Sequence, residues 1–380
     1  MSGVRRRTEA APFVSRAAAH AFAVCIALAP PTAATAQWPT SVLVEQDVFL
    51  EKAEDKDYTM GVAFDYANSG LGGGILDVFD QFFLLHGVHE RHDEGGTPYR
   101  AFLWGHTAFA PLKGENGANL ARTDPIYDDR PYASMLFASM RRSSVRGANA
   151  LTTEVTLGVL GLPIGEWTQT WIHENVSNDV TPGGWGWQIS DGGEPTAAYR
   201  ATYLRRVVDV ARDATSDWLD LAGALEGSVG YYTMAATGAR LRLGILRSPW
   251  WAWHRSPIPS RLPGVIQLEG IPEELRLDGP AGPKWWVPME AYVFGTLGGT
   301  LWGYNALMQG QFKESEVTQD FYGSPAPMNR GEYSYQYGLT LRWPSGWGVT
   351  WIRETYHSPL LRRDPERGHE WGTWVVLIPG

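Results

Sequence analysis

The chain has 380 residues and a formal net charge of −9, with 41 acidic and 32 basic side chains. This acidic balance argues against nucleic acids, which need a basic surface for binding. The single cysteine, Cys25, lies in an N-terminal segment that we expect to be removed, so neither disulfides nor a thiol nucleophile are expected in the mature protein.

The N-terminus has the features of a secretory signal peptide. Arginines at positions 5–7 precede an apolar run at 17–29, and Ala34-Thr35-Ala36 places small residues before a cleavage point at Gln37. We therefore expect residues 1–36 to be a signal peptide and residues 37–380 to form one domain. No later stretch approaches 18 uncharged apolar residues, so no transmembrane helix is expected.

Alternation with a period of two is the main pattern of the mature chain. In YSYQYGLTLRW, residues 333–343, tyrosine, leucine and tryptophan alternate with polar residues and glycine over a length that crosses a bilayer as a tilted strand. A soluble sandwich also alternates. Aromatic strand ends, arginines on the polar face and the signal peptide favour an all-β, antiparallel, transmembrane outer-membrane β-barrel.

Thirteen segments have strand patterns, at 40–51, 57–67, 97–109, 131–142, 150–160, 196–212, 216–230, 234–246, 285–298, 300–312, 331–343, 345–356 and 369–378. Single-chain bacterial barrels have an even number of strands, so we expect twelve and place the error among the last three segments. With a periplasmic N-terminus, the loops after the first, third and fifth strands are extracellular. The same parity assigns long connections after the second and eighth strands to the periplasm, where short turns are the rule.

The third of these extracellular loops contains GEWTQTWIHENVSND, residues 165–179. A short helix is expected here, with Gln169 and His173 four residues apart on one face. Three further polar clusters lie at the same rim of the predicted barrel, namely VEQD at 44–47, DYTMG at 57–61 and YDDRPYA at 127–133. Catalytic residues commonly gather where loops meet a rigid scaffold, so the rim is a candidate site.

These clusters resemble motifs of the outer-membrane lipid A 3-O-deacylase family over nearly the whole mature chain. VEQD and DYTMG resemble its Glu-Asn-Asp and Tyr-Thr-Asn-Gly motifs, DDRPYAS resembles Asp-Arg-Pro-Tyr-Ala-Gly, and GEWTQTWIH resembles its Gln-x-x-x-His segment. GGWGWQISDGGEP is similar to Gly-Trp-x-x-Gln with a downstream Glu-Pro. The resemblance implies a twelve-stranded barrel that removes a 3-linked acyloxyacyl group from the lipid A of lipopolysaccharide.

The resemblance also implies the catalytic set. His173 takes the position of the general base that activates water, and Gln169 is its neighbour. Gln46 takes the amide position of the first motif, and Arg130 supplies the cation of the third. The chain has no Gly-x-Ser-x-Gly elbow, which leaves water as the expected nucleophile and a serine such as Ser177 as a poor second.

A calcium ion that polarises the ester carbonyl is implied by the same resemblance. Its candidate oxygen ligands are Asp47, Thr59 and an acidic residue of the third loop, either Asp179 or Glu194. A different metal cluster is suggested by the histidines of HGVHERH at 86–92, but their spacing of three residues fits no zinc pattern well.

Three positions depart from the family motifs. Gln46 and Met60 stand where the family has asparagine, and Ser134 replaces a glycine. The expected partners are lipopolysaccharide and outer-membrane lipids, and we expect a monomer in the outer membrane with its active site facing outside. An outer-membrane phospholipase and a non-enzymatic porin or structural barrel remain as alternatives.

Overall fold

The computed structural model describes residues 41–46, 58–67, 74–94, 99–112, 118, 120–127, 129–177, 180–213, 216–251, 288–313, 317–318, 328–357 and 368–378. The predicted signal peptide lies outside these residues, as do Asp47 and Asp179. The side chains of Gln46 and Ser177 are also outside the described part of the chain.

Twelve antiparallel strands form a closed barrel in which each strand pairs with its neighbours in the sequence. They are β1 (Ser41–Gln46), β2 (Met60–Ala67), β3 (Tyr99–Phe109), β4 (Ala133–Arg146), β5 (Asn149–Leu160), β6 (Glu194–Asp213), β7 (Ser216–Gly230), β8 (Tyr232–Leu246), β9 (Glu290–Asn305), β10 (Gly331–Arg342), β11 (Gly348–His357) and β12 (Gly368–Leu377). The barrel closes where Ser41 pairs with Leu377 and Gln46 pairs with Gly372. The predicted fold class and strand number are confirmed.

The error in the thirteen predicted strands lies in β9, and the last three segments are all strands. The sequence pattern divided this strand at Gly298 and Gly299, residues that commonly mark turns. In the structure both glycines stay in the ladder, where Gly298 pairs with Gly238 and Ser334, and Gly299 pairs with Thr237 and Tyr333. Neighbours on both sides therefore hold an extended backbone that the local sequence does not favour.

Along β10 the two faces of the barrel wall are clearly separated. Tyr333, Tyr335, Tyr337 and Leu339 are exposed on the outer wall, whereas the alternate residues from Glu332 to Arg342 are mostly buried in the lumen. The alternation predicted for this stretch is therefore confirmed, with tyrosine and leucine facing the surroundings of the barrel.

The lumen is filled with buried charged side chains that form ion pairs across strands. Arg141 lies 3.1 Å from Asp65, and Arg200 lies 3.8 Å from Glu154 and 3.6 Å from Glu226. Arg242 pairs with Asp220 in the same way. Buried charges of this kind are tolerated because each one has an opposite charge beside it.

The barrel has two distinct rims. The loop rim carries the connections after β1, β3, β5, β7, β9 and β11, whereas the terminal rim carries the start of β1, the end of β12 and the other connections. At the loop rim, a short helix, Ala306–Gln309, places Leu307 and Met308 in the core of the barrel. At the terminal rim, Arg240 donates a hydrogen bond of 2.7 Å to the carbonyl of Trp250.

Two groups of helices pack outside the barrel. Helices α1 (Gly74–Phe82) and α2 (His86–His92) belong to the β2–β3 connection at the terminal rim. Helix α3 (Ile164–Ile172) belongs to the β5–β6 connection at the loop rim and continues as a π-helical turn over His173–Ser177. A 3₁₀ turn follows α3 at Gly184–Trp187. The helix Ala306–Gln309, at the loop rim and in the barrel core, is α4. In the described part of the chain, no helix has the length and hydropathy required to span a membrane.

Candidate active site on the outer wall

Helix α3 confirms the short helix predicted for the third loop, and its two faces differ sharply. Gln169 is 0% exposed and His173, one turn later, is 5% exposed. Trp167 and Trp171 are 65% and 60% exposed on the opposite face. The spacing of four residues thus turns the amide and the imidazole together toward the protein and turns both indoles away from it.

The buried face of α3 lies against the outer wall, outside the lumen. Met60 and Ala108 lie on the same side of β2 and β3 as Phe64 and Trp104, whose rings stack on the outer wall. They belong to one hydrophobic cluster with Trp185 and residues of the β3–β4 connection, and Ile172 packs against it. This cluster fixes the helix over β3 and β4.

Gly165 allows the first turn of α3 to pack closely against its neighbours. A Cβ atom at Gly165 would lie 2.6 Å from the Trp185 ring and 2.8 Å from Cβ of Ser134. The missing side chain therefore lets the helix approach both the wall and the 3₁₀ turn. Any larger residue would push the first turn of α3 outward.

The Gln169 side chain is oriented by Trp185. The indole Nε1 donates a hydrogen bond of 2.8 Å to Oε1 of Gln169, and both side chains are buried. Because the carbonyl end of the amide accepts from the indole, its NH₂ end is the end that can donate elsewhere. The Trp185 ring packs against the ring of Tyr132, and the two ring centroids lie 4.8 Å apart.

His173 is held in one tautomer by the backbone. Its Nδ1 lies 2.7 Å from the carbonyl oxygen of Val180. A carbonyl oxygen can only accept, so Nδ1 carries the proton and Nε2 carries the lone pair of the neutral ring. In this tautomer Nε2 is the ring atom that can accept a proton from water.

The candidate calcium ligands are only partly described. Thr59 is buried, and its Oγ1 has no hydrogen-bond partner among the described residues, as expected for an oxygen that binds a cation. Thr59 directly precedes Met60, which belongs to the hydrophobic cluster beneath α3. Within the described residues no three acidic, histidine or cysteine side chains form a metal cluster, and Asp47 and Asp179 lie outside them.

Glu194 has protein partners for both carboxylate oxygens. Oε1 accepts from the amides of Phe312, at 2.7 Å, and Lys313, at 3.1 Å, and Oε2 accepts from the Ser190 hydroxyl at 2.5 Å. These contacts join the β5–β6 and β9–β10 connections. They favour a structural role for Glu194 over metal binding.

Arg130 is buried at the loop rim. Its guanidinium lies over the ring of Phe109, 3.8 Å from the centroid, and its backbone amide donates to Asp129 at 2.7 Å. Phe109 belongs to the core of the barrel rather than to the cluster beneath α3. The structure therefore places Arg130 on the lumen side of the wall, whereas Gln169 and His173 lie on the outer side.

Comparison with known protein families shows to which family the chain belongs. The sequence model described as "Outer membrane protein LpxR" matches residues 19–378. The chain belongs to the LpxR family. Among solved structures, LpxR from Salmonella typhimurium matches with a TM-score of 0.63 at 15% identity, over 88% of this chain and 98% of that chain.

Other comparisons add less. The translocator domain of the autotransporter NalP from Neisseria meningitidis matches with a TM-score of 0.31 at 10% identity, over 96% of this chain and 97% of that chain. No curated protein sequence matches the chain. Membership of the LpxR family and the closed barrel locate the protein in the outer membrane.

Two of the departures from LpxR-family motifs have a structural consequence at this site. Met60 supplies apolar contact in the cluster beneath α3. Ser134 donates a hydrogen bond of 2.7 Å to the carbonyl of Leu162, two residues before α3, and lies 3.1 Å from Oε1 of Gln188. Trp185 and Gln188 were not predicted as site residues, although both belong to the GWGWQ motif.

Proposed function

We propose that this LpxR-family protein is a lipid A deacylase that hydrolyses the 3-linked acyloxyacyl ester of lipopolysaccharide in the outer leaflet. The observation that carries the proposal is the buried His173, which lies at the end of helix α3 on the outer wall and whose Nδ1 donates a hydrogen bond to the carbonyl of Val180. A substrate that is itself a membrane lipid can reach the outer wall sideways. It would not need to enter the filled lumen.

In the proposed reaction, Nε2 of His173 removes a proton from water as the water oxygen attacks the ester carbonyl carbon. The bond between this carbon and the sugar oxygen then breaks, and the proton passes from His173 to the departing sugar oxygen. Gln169, oriented by Trp185, positions the water or the substrate. Arg130 takes no part in this step, because its guanidinium lies over Phe109 on the lumen side of the wall, and Gln46 is proposed as a further polar contact to the substrate.

A calcium ion fits the hydroxyl of Thr59, which has no hydrogen-bond partner among the described residues, and Asp47 and Asp179 would supply further oxygen ligands. When bound, it would polarise the ester carbonyl. Glu194 is the less suitable third-loop carboxylate because its oxygens already accept from the protein. The exposed Trp167 and Trp171 suit the lipid interface, where indole rings are enriched.

The test is a set of matched variants assayed on lipid A in detergent micelles. We expect His173→Asn and His173→Ala to reduce the rate by about 10²- to 10⁴-fold, the usual loss for a general base, and Gln169→Ala to reduce it less. His86→Asn, the same change in distant helix α2, serves as the control and should keep full activity. A folded His173→Asn barrel with parental activity would refute the proposed mechanism.

A further inference from the structure

The outer wall near the terminal rim carries a buried polar cluster beneath α1 and α2. Asp80 contacts Arg142 and accepts a 2.8 Å hydrogen bond from Tyr199. His89 forms hydrogen bonds with Ser144 at 2.7 Å and Thr153 at 2.9 Å. The wall residues alternate with lumen-facing Arg141 and Arg200, so the helix pair covers a polar patch that would otherwise face lipid.

Three large apolar side chains are exposed on α1 and on the turn that follows it. Val78, Phe82 and Leu84 are 64%, 77% and 84% exposed. Leu84 has φ of 61°, a conformation in which glycine or asparagine would be less strained, yet it presents a large apolar side chain. On the outside of a membrane barrel, such side chains meet acyl chains rather than water.

A small basic cavity adjoins these helices. It has a volume of about 270 Å³ and is lined by Val88, Arg91, His92, Arg146, Asn149 and Tyr203. The buried Nδ1 of His92 has no hydrogen-bond partner among the described residues. The Arg91 Nε donates to the carbonyl of Gly87, which fixes this guanidinium beside the cavity.

Three acidic residues, Glu90, Asp93 and Glu94, lie next to the cavity-lining residues in the sequence, and two of them have ion-pair partners. Arg146 lies 3.2 Å from Glu94, but both side chains are about 60% exposed, so this surface pair is weak and can exchange for another anion. Glu90 pairs with His86 on the other side of the helix. Two guanidinium groups, which bind phosphate well, thus remain beside the cavity.

We propose that the helix pair and this cavity bind a phospholipid of the leaflet at the terminal rim. Arg91, His92 and Arg146 contact the headgroup phosphate, and the acyl chains lie along Val78, Phe82 and Leu84. Cationic groups and exposed apolar side chains on the same helix pair match the two parts of such a lipid. The identity of the leaflet rests on the orientation in the proposed function, with the loop rim outside.

The first test is native mass spectrometry of the purified protein in detergent with added dioleoyl phosphatidylglycerol. We expect the variant with both Arg91→Ala and Arg146→Ala to retain about tenfold less lipid, the effect of losing a charge-assisted hydrogen bond. Arg212→Ala, an exposed arginine at the same rim outside the cavity, is the matched control. Equal lipid retention in the double variant and the control would overturn the proposal. Displacement of the bound phosphatidylglycerol by an equimolar amount of inorganic phosphate would also overturn it.

The second test addresses the exposed apolar side chains. A spin label on Phe82→Cys, in vesicles of the same lipid, should be more accessible to oxygen than to a water-soluble nickel reagent. The reverse order, or a crosslinked dimer through Phe82→Cys, would contradict acyl-chain contact. Inactive His173→Asn protein should still bind the lipid, so a failure here is distinguishable from a failure of the deacylase proposal.

Discussion

At the scale of single residues, the candidate base depends on contacts that the helix itself does not supply. Val180 fixes the tautomer of His173, and Trp185 fixes the amide of Gln169, and both contacts come from later in the same loop. The spacing of Gln169 and His173 was sufficient to predict their shared face. Their partners could not be predicted, because no periodicity relates them to the helix.

Trp185→Phe tests whether this orientation matters. Losing the indole hydrogen bond to Gln169 should cost about 1 kcal/mol, and we expect kcat/KM on lipid A to fall by up to about tenfold. Trp187→Phe in the same 3₁₀ turn removes an indole hydrogen bond to the Thr123 carbonyl and is the control. Equal losses in the two variants would argue that Gln169 orientation has no part in catalysis.

At the scale of secondary-structure elements, α1 and α2 were the hardest part to predict from sequence. Several of their polar side chains face the wall, while Val78, Phe82 and Leu84 face outward, which is partly the reverse of a helix on a soluble protein. Burial, together with the nearby Arg142, lowers the pKa of His89 to about 3, so its ring is neutral at physiological pH. Of the three histidines in HGVHERH, His89 therefore contributes its ring to the contact between α2 and the barrel wall.

We expect Asp80→Asn to weaken the contact between the helix pair, α1 and α2, and the barrel wall. Asp80 is fully buried against Arg142, and removing one partner of a buried ion pair typically costs about 3–5 kcal/mol. We expect faster hydrogen exchange over residues 74–92, with the barrel strands unchanged. Asp77→Asn is the control, because Asp77 contacts the same arginine but is 44% exposed. Unchanged protection in Asp80→Asn would show that apolar contacts alone hold the helices.

At the scale of the whole molecule, alternation, aromatic residues and parity were enough to predict the barrel and its twelve strands. The alternating pattern predicts which side chains face the lumen, but not the ion pairs that fill it. This filled lumen argues against the porin alternative. The long connection after β2, which conflicted with short periplasmic turns, carries the helix pair on the outer wall.

The orientation in the membrane can be tested with single cysteines, because the only natural cysteine lies in the predicted signal peptide. Glu174→Cys is exposed at the loop rim and Ala148→Cys at the terminal rim. We expect an impermeant thiol reagent to label Glu174→Cys on intact cells, and Ala148→Cys only after permeabilisation. Labelling in the opposite order would invert the proposed topology.

The most direct test of the central claim is mass spectrometry of lipid A from Gram-negative cells with and without this protein. With calcium present, we expect wild-type protein to produce lipid A lighter by one acyloxyacyl group, and His173→Asn or removal of calcium by a chelator to leave it intact. Unchanged lipid A in cells that carry the folded wild-type barrel in their outer membrane would contradict the account. Loss of phospholipid acyl chains in its place would identify a phospholipase.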